Sequence, residues 1–195
     1  MKAAAKQTGL LIVLVGPSGV GKSTISRLLA QGLDVKYTVS ATTRPKQPGD
    51  DDGKVYDHVT KEEFFRRLDA DLFLEYAQVY GEYYGTPKHP ALDQMAAGLD
   101  VLLEIDVQGA LQVRYQHPDA LMIFILPPDE PELLKRLTQR GRDKAEDIAK
   151  RFRAAKREIH MAKGSRAFDY MVINDNLDRA VEEITKIIKH KRATT

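Results

Sequence analysis

The sequence predicts an α/β fold built on a parallel β-sheet, and three observations carry that prediction. Residues 16–23, Gly16-Pro17-Ser18-Gly19-Val20-Gly21-Lys22-Ser23, form a complete G-x-x-x-x-G-K-S phosphate loop. Apolar runs alternate with helical patterns along the chain, as expected of a sheet covered on both faces. The last segment carries Leu177, Val181, Ile184, Ile187 and Ile188 with charges between them, which is one buried helix face.

Taken in order, Leu10–Val15 reads as a buried strand that runs directly into the phosphate loop. The loop opens into Thr24-Ile25-Ser26-Arg27-Leu28-Leu29-Ala30, a stretch of helical spacing and good helix formers. Tyr37–Ala41 is a further strand candidate, followed by Leu99–Ile105, Leu121–Leu126 and Tyr170–Ile173. Met1-Lys2 through Lys6 ahead of the first apolar run faintly mimics a signal peptide. That run is short, however, and enters the loop with no small-residue cleavage site, so a buried strand is expected. No segment reaches the length of a membrane span.

The loop has a specific physical meaning. Its glycines let backbone N–H groups converge on phosphate oxygens, and the helix that follows adds its positive N-terminal end. Lys22 suits the β- and γ-phosphates, and the Ser23 hydroxyl suits magnesium. A nucleoside triphosphate site follows, involving Gly16, Pro17, Ser18, Gly19, Val20, Gly21, Lys22 and Ser23.

Bulk composition narrows this little. The 195 residues suffice for one domain with inserted lobes, and 30% charged against 43% apolar residues is the balance of a globular protein. A formal net charge of +2 makes any charge argument local. With no cysteine, disulfides and thiolate metal sites are excluded, and a reducing cytoplasm is compatible. The five histidines are scattered without ligand spacing.

Two segments interrupt the α/β rhythm. The first, 40–90, holds Pro45, Pro48, Pro87 and Pro90, the acidic turn Asp50-Asp51-Asp52-Gly53, and Tyr76, Tyr80, Tyr83 and Tyr84. The second, 135–157, carries ten Lys/Arg against Asp143, Glu146 and Asp147. A solvated basic helix and a mobile basic lid are equally good readings of it. Nucleic-acid binding is weaker, because no aromatic residues interleave with the charge.

At this point the residues carry a resemblance. Ser40-Ala41-Thr42-Thr43-Arg44-Pro45 with Gly49, Asp50, Gly53 and Tyr56 resembles the nucleotide-binding lobe of guanylate kinases. Phe73-Leu74-Glu75-Tyr76-Ala77 and Gly81-Glu82-Tyr83-Tyr84-Gly85-Thr86 resemble the same lobe. Leu103-Glu104-Ile105-Asp106-Val107-Gln108-Gly109 is similar to that family's third core strand and turn. Arg136-Leu137, Arg140-Gly141, Lys150-Arg151 and Val172-Ile173-Asn174-Asp175 resemble its lid and adenine-side loop. The match spans residues 9–190.

The resemblance implies a P-loop kinase fold in three parts. These are a core (1–39, 91–134 and 158–195), an inserted GMP-binding lobe (40–90) and a helical lid (135–157). It implies transfer of the γ-phosphoryl group of ATP to GMP, and to dGMP, in the cytoplasm. Magnesium accompanies ATP, and neither nucleic acid, a membrane nor an obligate protein partner is expected. Glu75 and Asp106 would read the guanine donors, with Ser40 and Thr86 near O6, while Arg44, Tyr56 and Tyr84 would hold the GMP phosphate. Arg136, Arg140 and Arg151 match lid positions that neutralise the transferring group or border the adenine. Asn174 would contact the ATP base, and Glu104 would partner the water shell of the metal.

The chemistry fits such a set. A phosphate monoester acceptor is already ionised, so no general base is required, and positioning with cationic screening suffices. Carboxylates suit guanine's N1 and 2-amino donors, whereas adenine presents a lone pair at N1 and is repelled. Taken singly, Glu75 and Asp106 read as a surface acid or a strand-end cap, and the tyrosines as packed core residues. Their places inside matched motifs reverse that.

Three departures concern the acceptor site. Gln47 stands where many family members carry a second arginine, Asp50 where glutamate is common, and His58 where an aromatic is usual. Lys46 is placed to substitute in part for the missing charge. Two rival readings are a silent guanylate-kinase-like scaffold module and a kinase for another phosphoryl acceptor. The intact phosphate loop opposes the first, and the Glu75/Asp106 pair opposes the second.

Overall fold

A run of six apolar residues from Leu10 to Val15 favours a strand covered on both faces, and Leu11–Val15 is buried along its whole length at the centre of a sheet. The computed structural model describes residues 8–47, 56–139 and 144–195. The chain begins β1 (Leu11–Val15), α1 (Lys22–Gly32), β2 (Val35–Tyr37), β3 (Ser40–Thr42), β4 (Tyr56–His58) and α2 (Lys61–Asp69). It continues through β5 (Phe73–Val79), β6 (Glu82–Pro87), α3 (Lys88–Ala96), β7 (Asp100–Glu104) and α4 (Val107–Gln116). It ends with β8 (Leu121–Leu126), α5 (Glu130–Gln139), α6 (Ala145–Gly164), β9 (Tyr170–Ile173) and α7 (Leu177–Thr194).

Among the described residues, five strands form one sheet in the order β2-β7-β1-β8-β9, with every pairing parallel. Side chains alternate across it. Ile12 and Leu14 pack with Ile25 and Leu29 of α1 and Ile184 and Ile188 of α7. Leu11, Val13 and Val15 pack on the other face with Ala91 of α3, Val107, Ala110 and Val113 of α4, and Ala162 of α6. The C-terminal helix buries the face expected of it, centred on Ala180, Ile184 and Ile188. At roughly 1.5–3 kcal/mol per fully buried large aliphatic side chain, these two layers anchor the molecule.

A second, four-stranded sheet runs β4-β3-β6-β5. Its own small core is Ala41, Phe64 and Phe73, with the two phenylalanine rings stacked 4.6 Å apart. The expected strand Tyr37–Ala41 is therefore corrected to two short strands in different sheets. Val35–Tyr37 pairs with β7, and Ser40–Thr42 pairs with β4 and β6. Thr38 still donates its N–H to the Leu102 carbonyl at 3.2 Å, and the chain then leaves one sheet for the other. No glycine or proline punctuates that crossing.

The segment of repeated basic residues lies mostly on α5 and α6, which meet through Leu133, Leu137 and Ala155, with Ile148, Phe152 and Ile159 beside them. α6 runs on to Gly164 because its apolar face continues through Ile159 and Ala162 onto the main core. Among the described residues, no helix is long and apolar enough to cross a membrane.

Candidate active site

The strand order reverses at β1, and ligand sites of open parallel sheets lie beyond the carboxyl ends of strands at such a point. A cleft of about 640 Å³ opens there, lined by the phosphate loop after β1, the turn after β7, one face of β5 and part of α6.

The phosphate loop is held open by its backbone and braced from behind. Gly21, the N-cap of α1, has φ 97°, and no side chain caps the helix. Its first-turn N–H groups are thus left for an external acceptor. A Cβ on Gly21 would lie 2.6 Å from the side-chain nitrogen of Asn174. That buried amide donates to the Val20 carbonyl at 2.8 Å, so Asn174 supports the loop. Val20 itself is fully buried beneath it. Lys22 Nζ donates to the Gly16 carbonyl and, at 3.3 Å, to that of Pro17. Ser23 Oγ donates to Glu104 Oε1 at 2.6 Å, and the Tyr37 hydroxyl donates to Oε2 at 3.2 Å. Burial and the neighbouring Glu104 carboxylate push the Tyr37 phenol far above its ordinary range, which keeps it a donor.

The facing wall is β5. Glu75, Ala77 and Val79 lie two residues apart and line the cleft together. Glu75 is 3% exposed, and its Oε1 accepts from Thr86 N at 3.1 Å and Thr86 Oγ1 at 2.5 Å. Ser40 Oγ lies 3.4 Å from Thr86 Oγ1. Thr86 is buried behind Glu75, outside the cleft lining. Burial raises the Glu75 carboxyl to about 7, and the nearby Asp106 charge adds to this. Asp106 caps α4, its Oδ1 accepting from Gly109 N at 2.9 Å and its Oδ2 from Gln108 Nε2 at 3.1 Å. Its carboxyl is also raised, by burial above all. Gly109 is required here because a Cβ would fall 2.0 Å from Glu75 Oε2.

Further along the same wall, the Arg44 guanidinium lies 5.4 Å from the Tyr56 ring centroid, and Tyr56 meets Tyr84 edge-on at 5.7 Å. His58 Nδ1 is 2.8 Å from the Arg44 carbonyl oxygen, so His58 supports the backbone at Arg44. Gln47 lines the cleft with them.

From α6, Arg151 and Glu158 reach the cleft lining. Arg136 does not; its Nε donates to Glu132 Oε1 at 3.0 Å on α5. Arg140, Gly141, Pro48, Gly49, Asp50, Asp51, Asp52 and Gly53 lie outside the described residues. Two cleft residues with polar side chains had no role assigned from sequence. Glu158 follows Arg151 by seven positions and so shares its helix face, the one signal that pointed to it. Burial raises its carboxyl to about 7, against the pull of Lys22 and Arg157 and with the push of Asp106. The other is Tyr80, at the β5–β6 turn.

Comparison with known proteins agrees with this geometry. The family model described as guanylate kinase matches residues 8–191. The guanylate kinase of Caldanaerobacter subterraneus subsp. tengcongensis is 48% identical over 184 residues, covering 94% of this chain and 88% of that protein. That of Symbiobacterium thermophilum is 47% identical over 97% of this chain and 89% of its own length. The crystal structure of guanylate kinase from Anaplasma phagocytophilum superposes with a TM-score of 0.80 at 30% identity, covering 95% of this chain and 87% of that one. With a family match over nearly its whole length and a phosphate loop set against a carboxylate-lined wall, this chain belongs to the guanylate kinase family.

Proposed function

We propose the following assignment of residues to the reaction of this family, transfer of the γ-phosphoryl group of ATP to GMP, which is the activity of this chain. ATP places its phosphates on the loop Gly16–Ser23, where backbone N–H groups and the start of α1 receive them. Lys22 exchanges the carbonyls of Gly16 and Pro17 for the β- and γ-phosphate oxygens. GMP lies against β5, with its N1 and 2-amino donors toward Glu75 and Asp106 and its O6 toward Ser40, behind which the buried Thr86 holds Glu75 in place. Arg44, Tyr56 and Tyr84 receive its phosphate. The acceptor oxygen is ionised beforehand, so the residues position and screen rather than abstract a proton.

Magnesium is the metal this reaction takes with ATP, and the donor set suits a hard cation. Ser23 Oγ and Glu104 are oxygen donors 2.6 Å apart at the end of the phosphate loop. Ser23 would hold the ion and Glu104 its water, and the ion would screen the phosphate oxygens. Among the described residues of the lid segment, Arg151 is the arginine that lines the cleft, and Arg136 and Arg140 hold the other lid positions that the family resemblance assigns to the transferring group. Asn174 acts through Val20 by fixing the loop. dGMP carries the same base and phosphate and is accepted on the same contacts. A cytoplasmic site of action fits both substrates.

The observation that carries this reading is the buried Glu75 carboxylate beside Asp106, facing a phosphate loop across one cleft. A coupled assay of ATP with GMP, dGMP, AMP, UMP and CMP tests it. GMP and dGMP should be turned over orders of magnitude more efficiently than the rest. A pyrimidine or adenine nucleotide used as well as GMP would overturn the assignment.

A further inference from the structure

The β5–β6 connection has two residues, Tyr80 and Gly81, between the paired Val79 and Glu82. Their φ angles are 52° and 89°, the left-handed pair of a tight hairpin turn for which Asn-Gly or Asp-Gly is the favoured sequence. A tyrosine at the first position is a strained choice, because a bulky side chain at positive φ is uncommon. Core packing does not account for it, since Tyr80 is 53% exposed. Its ring does meet a cation from another part of the molecule. The Arg151 guanidinium of α6 lies 5.6 Å from the ring centroid, and both residues line the cleft.

The turn is also tied to the acceptor wall. Gln108 donates one amide bond to the Gln78 carbonyl at 3.4 Å and another to Asp106 Oδ2 at 3.1 Å. A residue carried on this hairpin is therefore fixed relative to the carboxylate that faces the guanine. A group held by that residue shares the same frame.

We propose that Tyr80 is a positioning residue for phosphoryl transfer, its ring holding the Arg151 guanidinium in register with the acceptor wall. This rests on the reading of Arg151 as a cation of the transfer step. An aromatic face attracts a guanidinium without supplying a negative charge, so this contact restrains the lateral position of Arg151 without neutralising it. An acidic residue in the same place would neutralise it. The strained turn is the structural cost of placing a ring where asparagine would fit better.

The test compares single-turnover transfer, nucleotide affinity by calorimetry and thermal melting in Tyr80→Phe, Tyr80→Leu, Tyr80→Asn, Arg151→Met and the Tyr80→Leu/Arg151→Met double variant. Tyr80→Phe keeps the ring and should retain the wild-type rate. Tyr80→Leu and Tyr80→Asn should slow transfer roughly three- to tenfold, the scale of one partly exposed cation–aromatic contact. ATP and GMP dissociation constants should change by less than about twofold, since the contact bears on the chemical step. Tyr80→Asn should melt no lower than wild type, because asparagine tolerates the left-handed turn, and so a slow rate cannot be laid to a damaged fold. Arg151→Met should be slower still, with no further loss on adding Tyr80→Leu. Wild-type rates in Tyr80→Leu and Tyr80→Asn beside a slow Arg151→Met would overturn the role of Tyr80 and leave that of Arg151 standing. A full-speed Arg151→Met would overturn both. Equal losses that multiply in the double variant would show Tyr80 acting apart from Arg151, and would also overturn the proposal.

Discussion

Burial holds the Glu75 carboxyl at about 7, against an ordinary value of 4.5, even though Thr86 gives it two hydrogen bonds. A carboxyl raised on folding stabilises the protein fully below its unfolded value, and that contribution is lost as pH rises through the folded value. Ionised Glu75 at pH 8 is thus a burden on the fold, which guanine donors would relieve under the proposed assignment. Glu75→Gln keeps an oxygen for Thr86 and removes the charge. It should raise stability by about 1–3 kcal/mol at pH 8, with the gain shrinking toward pH 5, while GMP binding weakens. Melting curves across that range beside GMP titrations check both halves. Gln47 is the opposite case, a neutral side chain on the wall where Arg44, Tyr56 and Tyr84 stand. Gln47→Arg should tighten GMP by about 1–2 kcal/mol, less at high salt, with ATP affinity unmoved; calorimetry with each nucleotide measures this.

At the scale of elements, the phosphate loop and its flanks were the most legible. A buried strand, a glycine-rich loop and a helix start follow one another without interruption from Leu11 to Gly32, and local rules alone place Lys22 and Ser23. Less legible was the passage from β2 to β3, because Thr38 and Val39 carry no breaker and only the partners of each strand separate them. The sequence motif assigns Asn174 to the ATP base, and its bond to Val20 could not be read there because it depends on a contact 154 positions away. Arg136 matches a motif that the resemblance assigns to the transferring group, yet its i−4 neighbour Glu132 takes its guanidinium. The start of α4 offers a test at this scale. Gly109→Ala improves helix propensity by up to about 1 kcal/mol but drives a methyl into Glu75 Oε2. Displacing the buried Glu75 from Thr86 should outweigh that gain and lower the melting temperature modestly, whereas GMP affinity should fall at least fivefold with ATP affinity preserved. Equal losses for both nucleotides would instead point to general damage at the switch point.

Across the whole molecule, the parallel sheet fixes the donor loop, the second sheet carries the acceptor wall, and α6 brings Arg151 and Glu158 to the cleft between them. The overall architecture was readable from alternating apolar and helical patterns. The convergence of Glu75, Asp106 and Lys22 on one cleft was not, because strand order and the β5–β6 hairpin set it. The central claim is that guanine is read by the Glu75 and Asp106 carboxylates that line the cleft, and the GMP-to-AMP ratio of kcat/KM in Asp106→Asn tests it most directly. Asparagine is as good a helix cap as aspartate, so the Gly109 N–H bond and the fold should persist. Its amide sets a donor against the guanine amino group. The ratio should fall by about 1–3 kcal/mol in transition-state terms, roughly five- to 150-fold, mainly through the loss of GMP efficiency. A ratio equal to that of the wild type, in a variant that folds and turns over GMP normally, would contradict the account.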